Sequence, residues 1–171
     1  LRRYLSLLEA LFIVQPLPAW SANLGKRLVK APKLHLIDAG LTAHLRGHTD
    51  PAALALSPQL GPLLENFAVQ ELRRHLRWAD TAATAWHFRT AAGREVDLVL
   101  ETPSGRVVGI EVKASASITQ GDFDGLRELA LAAGEGFARG VVLYTGEQLM
   151  PFEEDLWAVP VSVLWAGGGG A

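Results

Sequence analysis

The chain has 171 residues and a formal net charge of −2; 49% of its residues are hydrophobic, 20% are charged and none is cysteine. This composition excludes a disordered chain, a disulfide framework, a thiolate nucleophile and every zinc site that needs sulfur. Because there is no apolar run of about 18 residues and no signal-peptide pattern, we expect a cytoplasmic protein without a membrane span. Because the chain starts at Leu1 inside an amphipathic pattern, with no initiator Met, we also expect a fragment of a longer protein.

Basic residues are concentrated in the N-terminal segment. Residues 1–46 hold seven basic and two acidic residues, a net charge of +5, whereas the rest of the chain holds nine basic and sixteen acidic residues, a net charge of −7. A basic segment can bind phosphates or an acidic partner, so Lys26 and Arg27 are candidates for nucleic-acid contacts. An ordinary solvated surface is the alternative.

Residues 1–46 have the element order of the end of a winged-helix module. The predicted elements are a helix, a strand, a basic loop, a strand and a short helix, at residues 2–11, 12–17, 21–31, 33–37 and 40–45. Asp38 is the expected N-cap of the short helix. We therefore predict part of a winged-helix module over residues 1–46, followed by a connector over residues 47–61.

The following region predicts an α/β domain over residues 62–166, with a flexible tail at 167–171. A helix begins near Pro62, a favoured first helical residue, and its apolar stripe extends to about Trp78. The later elements are three strands, a helix and two strands, at residues 85–89, 94–101, 106–113, 119–133, 140–145 and 156–165. The resulting α-β-β-β-α-β order places helices on both sides of a mixed sheet.

Two carboxylates are predicted to face each other across neighbouring strands. If Gly105 is left-handed in a three-residue turn, the register pairs Asp97 with Glu111. A divalent cation such as Mg²⁺ or Mn²⁺ relieves the repulsion between opposed carboxylates, whose oxygens are its usual ligands. Lys113 lies beside that position on the same face as Glu111. If side chains alternate strictly along the strand, Asp97 lies on one face, and the apolar residues Val96, Leu98 and Leu100 lie on the other.

Glu65 is a fourth candidate because its surroundings are unusual for a solvated glutamate. It lies in the first turn of the helix that begins near Pro62, in line with the apolar residues Val69 and Leu72. The alternative is a carboxylate that favours the positive end of the helix dipole.

Glu65, Asp97 and the run Glu111-Val112-Lys113 resemble the PD-(D/E)XK, or restriction-endonuclease-like, superfamily, whose core has the same α-β-β-β-α-β order. A longer resemblance is to the C-terminal domain found behind an AAA-type ATPase domain in bacterial and archaeal proteins, and it is carried by residues 33–45, 64–72, 86–99 and 110–115. It implies an ATPase domain upstream. This chain has no Gly-x-x-x-x-Gly-Lys-Ser/Thr loop, so we expect no ATP site in it.

The resemblance implies a metal-dependent nuclease. Asp97, Glu111 and the carbonyl of Val112 would bind Mg²⁺ or Mn²⁺. Glu65 would hold a metal-bound water or a second metal. Lys113 would orient the attacking water and stabilise negative charge on the phosphoryl group.

The expected substrate is a nucleic acid, with DNA favoured. Arg89 and Arg94 flank the hairpin and are candidates for phosphate contacts, with ordinary surface arginines as the alternative. Two other functions remain open: a catalytically inactive nucleic-acid-binding module, which the acidic body disfavours, and an assembly module for the ATPase that forms oligomers.

Overall fold

A computed structural model describes residues 2–27 and 31–165, in which a small N-terminal sheet precedes a larger mixed sheet. The N-terminal elements are α1, β1, α2, β2, α3 and α4, at Arg2–Ala10, Val14–Leu17, Leu24–Arg27, Lys33–Leu36, Ala39–Leu45 and Pro51–Ala55. Strands β1 and β2 pair antiparallel. Asp38 caps α3 as predicted, since its side chain accepts the N–H of Leu41. The predicted tail at 167–171 lies outside the described residues.

Six strands of the described part form the larger sheet, in the order β3-β4-β5-β6-β8-β7. The elements α5, β3, β4, β5, α6, β6, β7 and β8 lie at Leu60–His75, Thr84–Arg89, Glu95–Glu101, Val107–Lys113, Asp124–Ala133, Phe137–Tyr144, Met150–Glu153 and Leu156–Pro160. Strand β4 is antiparallel to both β3 and β5. Strands β5, β6 and β8 run parallel to one another, and β7 is antiparallel to β8. The predicted mixed α/β class is confirmed. No described helix is both long and apolar enough to cross a membrane.

Element ends differ from the predictions by a few residues. Helix α5 begins at Leu60 rather than Pro62. Pro62 fits within the first turn, because the backbone N–H groups of the first turn have no helical acceptor and proline therefore loses no hydrogen bond there. A 3₁₀ turn with a Thr119–Asp122 capping box precedes α6. Strand β7 was not predicted, since four residues that include Pro151 carry little strand signal and fit only a sheet edge.

Helices α5 and α6 cover opposite faces of the sheet. On the α5 face, Val69 packs with Leu98 and Ile110. On the α6 face, Leu126 and Leu129 are fully buried, each contributing roughly 1.5–3 kcal/mol. Both faces are therefore largely apolar, and the buried Asp97, the third residue of β4, is an exception among the described residues of the central strands.

A bulge in β4 changes the predicted faces of that strand. Trp86 lies opposite Val99 but Phe88 lies opposite Val96, so one extra residue is inserted into β4 at Asp97 and Leu98. Val96 consequently packs with Val99 on the α6 face, while Leu98 packs on the α5 face. The prediction that Val96 shares a face with Leu98 is wrong, because strict alternation does not hold across a bulge.

Candidate functional site

The β4–β5 turn sets the register that the site depends on. Gly105 has a φ of 82°, in the left-handed region, as expected. The backbone N–H of Thr102 donates to the carbonyl of Arg106 at 2.9 Å. The ladder pairs Leu98 with Ile110, in the predicted register, and ends there, so Asp97 and Glu111 lie one position beyond the last pair.

Asp97 is buried at the point where the paired ladder stops. Only 7% of the residue is exposed, and its Oδ2 accepts the backbone N–H of Val112 at 3.0 Å. Its Oδ1 accepts from Nζ of Lys33 at 3.0 Å. Both oxygens of this carboxylate therefore have donors.

Lys33, on strand β2 of the N-terminal segment, reaches into the acidic residues. Its Nζ lies 2.6 Å from Oε1 of Glu65, 3.0 Å from Oδ1 of Asp97 and 3.9 Å from Oε2 of Glu95. Burial lowers the pKa of Lys33, but the charges of Asp97 and Glu65 outweigh it, so the pKa is raised and the ammonium persists. Lys33 was not among the predicted site residues, because its only signal in the sequence is membership of a basic segment.

Glu111 is the carboxylate of the site whose hydrogen bonding is incomplete. Its Oε1 lies 3.0 Å from Nζ of Lys113, whereas its Oε2 is buried with no hydrogen-bond partner among the described residues. Burial first, and then the charge of Asp97, raises the pKa of Glu111 to about 7. Burial lowers the pKa of Lys113, but the charge and hydrogen bond of Glu111, together with the charges of Asp122 and Asp97, outweigh it, so the pKa is raised.

The four residues predicted as catalytic and Lys33 form one cluster, called here the acid–lysine cluster: Lys33, Glu65, Asp97, Glu111 and Lys113. Burial and the charge of Asp97 raise the pKa of Glu65, against the effect of Lys33. Within residues 2–27 and 31–165, no group of three or more His, Asp or Glu side chains is already arranged to hold a metal ion. Two ammonium groups within the cluster instead balance part of the charge of its three carboxylates.

The two candidate phosphate-contact residues near the hairpin are exposed and ion-paired. Arg89 lies 3.1 Å from Glu95, and Arg94 lies 2.9 Å from Asp124. Such surface pairs are weak, so both guanidinium groups are available to exchange a carboxylate for a phosphate.

Arg27 has a different environment. Its Nη1 and Nη2 donate to the two carboxylate oxygens of Glu101 at 2.5 and 2.8 Å, and its guanidinium lies over the rings of Trp20 and Trp86. This geometry ties the N-terminal segment to strand β4. The side chain of Lys26 lies outside the described residues.

A cleft of about 640 Å³ opens beside the acid–lysine cluster. Its lining includes polar residues from the N-terminal segment and from strands β3 and β4, namely Ser21, Lys33, His87, Arg89, Thr90 and Glu95. The cluster is therefore reachable from solvent on the side of Lys33.

The proteins and domain families that this chain resembles have no assigned function. The profile of a domain of unknown function, DUF4143, matches residues 60–164, and that of a second such domain, DUF8612, matches residues 1–52. Uncharacterized proteins of Mycobacterium bovis and Mycobacterium tuberculosis are each 34% identical over 169 residues, which are 98% of this chain and 36% of the relative. The chain thus spans about a third of the length of these relatives. No solved structure matches.

Proposed function

Since the chain belongs to the DUF4143 family, whose function is unknown, we propose a function from the geometry of the acid–lysine cluster. The proposed function is metal-dependent hydrolysis of nucleic-acid phosphodiesters. The observation that carries it is the buried Oε2 of Glu111, which has no donor among the described residues and lies on the strand opposite Asp97.

The available oxygens suit a hard divalent cation. A buried carboxylate oxygen without a donor costs about 1–3 kcal/mol, and Mg²⁺ or Mn²⁺ would remove that cost. Asp97, Glu111 and the carbonyl of Val112 are the proposed ligands, because carboxylate and carbonyl oxygens are preferred by these ions. When bound, the cation would polarise the phosphodiester and lower the pKa of a coordinated water.

Lys33 competes for the same carboxylate. Its ammonium occupies Oδ1 of Asp97, so a cation that uses this oxygen must displace Lys33 or neutralise the pair with it. We therefore expect weak metal binding in the resting protein and stronger binding when Lys33 is withdrawn.

Lys113 and Glu65 have supporting roles in the proposal. The ammonium of Lys113, held near Glu111, would orient the attacking water and stabilise charge on the phosphoryl oxygens. Glu65 lies 2.6 Å from Lys33 and would position either Lys33 or a metal-bound water. Arg89, at the wall of the cleft, would contact a backbone phosphate.

The finer fold and the larger assembly are part of the proposal. The order α5, β3, β4, β5, α6, β6 supports a restriction-endonuclease-like core, and the helix and two strands before it support part of a winged-helix module. The chain covers 36% of its curated relatives. From the resemblance carried by residues 33–45, 64–72, 86–99 and 110–115, we propose that the full-length protein also carries an AAA-type ATPase domain. DNA is the proposed substrate.

A catalytically inactive module of the same fold is the second candidate. The ion pairs of Lys33 favour this inactive module, since they give Asp97 and Glu65 a shared positive partner without any metal. In that case the cluster would fasten the N-terminal segment to the sheet, and the chain would bind nucleic acid or support assembly of the ATPase.

Calorimetric titration with Mn²⁺ at pH 8, followed by cleavage assays on single-stranded, double-stranded and branched DNA, separates the two candidates. The nuclease proposal expects Mn²⁺ binding that Asp97→Asn and Glu111→Gln abolish, and cleavage that Lys113→Ala abolishes while binding persists. Equal Mn²⁺ affinity in the wild type and Asp97→Asn would reject the site. Binding without cleavage of any substrate would favour the inactive module.

A further inference from the structure

A second polar site lies at the C-terminal end of α5. Here a cavity of about 220 Å³ is lined by Gln15, Ile37, Gln70, Arg73, Arg74 and Arg77, and is called here the arginine pocket. Three of these residues are arginines and none is acidic. The volume far exceeds the roughly 10–15 Å³ that one water needs on the same measure, so a small anion has room.

Arg73 has an unmet hydrogen-bonding requirement in this pocket. Its Nη1 is buried and has no acceptor within the part of the chain that the structure describes. Burial lowers the pKa of Arg73, and the positive charge of Arg77 lowers it further. Two guanidinium groups thus repel each other beside a buried donor, which is unfavourable unless an anion lies between them.

The helix dipole does not account for this arrangement. Basic side chains in a last helical turn are favoured by the negative end of the dipole, but that interaction does not require burial. Arg74 makes the expected local contacts, with Glu71 and with the carbonyl of Ile37. By contrast, neither Arg73 nor Arg77 has an ion pair to any described residue.

We propose that the arginine pocket binds a phosphate group, held between the guanidinium groups of Arg73 and Arg77. Guanidinium donors match phosphate oxygens in pairs, which makes arginine suited to this anion. Arg73 lies eight residues after Glu65, about 12 Å along the axis of α5, so the pocket is separate from the acid–lysine cluster. The source of this phosphate group is either a small anion, such as free phosphate or a nucleotide, or a nucleic-acid backbone. Binding in the arginine pocket does not depend on the proposed nuclease activity.

Two probes, both used in EDTA so that metal plays no part, test the pocket and distinguish the sources. The first is inorganic phosphate, measured by calorimetry at ionic strength matched with NaCl. The second is a fluorescent single-stranded DNA dodecamer, measured by anisotropy. The variants are Arg73→Gln, Arg77→Gln and, as the charge-matched control, Arg106→Gln at the exposed β4–β5 turn.

We expect Arg77→Gln to bind at least one of the two probes about ten-fold or more weakly than Arg106→Gln does, because a charged hydrogen-bond pair is lost. If only the affinity for inorganic phosphate falls, the ligand is a small anion. If the affinity for the dodecamer falls, the ligand is a backbone phosphate of a nucleic acid. Arg77 is exposed, so this variant decides the question even if Arg73→Gln does not fold. Equal affinities of Arg77→Gln and Arg106→Gln for both probes would overturn the proposal.

Discussion

Two neighbouring carboxylates of the acid–lysine cluster differ in how fully they are hydrogen-bonded. Asp97 receives a backbone N–H and an ammonium, whereas one oxygen of Glu111 has no donor in the described residues. Burial of Glu111 and the negative charge of Asp97 together raise the pKa of Glu111, and the nearby ammonium groups of Lys113 and Lys33 offset this only in part. At the scale of residues, Lys33 pairs with Asp97, whereas one oxygen of Glu111 has no donor and is available to a cation.

Replacing Lys33 with methionine should tighten Mn²⁺ binding by about ten-fold or more, because the competing ammonium is removed from Asp97 and Glu65. Without metal, the same variant should be less stable by roughly 2–4 kcal/mol, since two partly buried carboxylates lose their counter-charge. Calorimetry and urea unfolding measure the two effects. Arg106→Met, which removes an exposed positive charge, is the control; unchanged Mn²⁺ affinity in Lys33→Met would argue against competition.

The raised pKa of Glu111 predicts a specific dependence on pH. Between about pH 4.5 and 7 the folded protein keeps a proton that the unfolded chain has released, so stability falls as pH rises through this window. The total change is up to roughly 3 kcal/mol. Urea unfolding across pH 4–8 should show this fall in the wild type relative to Glu111→Gln; parallel curves for the two proteins would contradict it. Metal affinity should rise over the same window as Glu111 ionises.

At the scale of elements, helix α6 packs unusually close to strand β4. A Cβ built on Gly125 would lie 2.0 Å from the carbonyl oxygen of Glu95, a backbone atom that cannot rotate away. Glu95 also lies 3.9 Å from Lys33, so the helix supports the strand that carries the acid–lysine cluster. This glycine is needed for close approach rather than for a turn.

Gly125→Ala should therefore destabilise the protein by about 1–3 kcal/mol or more, although alanine is the better helix former by about 1 kcal/mol. Gly121→Ala is the matched control, because its Cβ would meet only Oγ1 of Thr119 at 3.8 Å. Thermal and urea unfolding of both variants measure the difference. A Gly125→Ala protein as stable as the wild type would show that α6 can shift away from β4 at little cost.

At the scale of the whole molecule, the N-terminal segment is docked on the sheet by several independent contacts. The backbone N–H of Trp20 donates to the carbonyl of His87 at 2.6 Å, and Ala19 forms a bridge with the same residue. The bidentate pair of Arg27 with Glu101 lies nearby, with side chains that are 10% and 19% exposed. These contacts hold β2, and with it Lys33, against the acidic residues.

Arg27→Met should lower the free energy of unfolding by roughly 1.5–3 kcal/mol, because the partly buried carboxylate of Glu101 loses its charged hydrogen bonds. The double variant Arg27→Met/Glu101→Gln should be more stable than the sum of the two single losses predicts, since no uncompensated charge remains. Urea unfolding with tryptophan fluorescence measures all three variants. Additive losses would mean that the pair contributes little beyond the separate packing of each side chain.

Features that depend on residues within a few positions of one another were predicted with small errors at the ends: most helices and strands, the Asp38 cap and the turn at Gly105. That turn also set the β4–β5 register. The short helices α2 and α4 were not predicted, and they lie in the stretches predicted as a basic loop and a connector. The bulge that moved Val96 to the other face depends on pairing with β3 and left no trace in the alternation of β4.

The sequence by itself determined the mixed α/β class, the register that pairs Leu98 with Ile110, and the helix that carries Glu65, because local periodicity and turn chemistry encode these features. Only the tertiary structure decided that Lys33 lies between Glu65 and Asp97, and that arginines at the end of α5 surround a cavity. Lys33 and Asp97 are 64 positions apart. No short-range pattern links them, and their contact exists only because the packing of the N-terminal segment on the sheet brings them together.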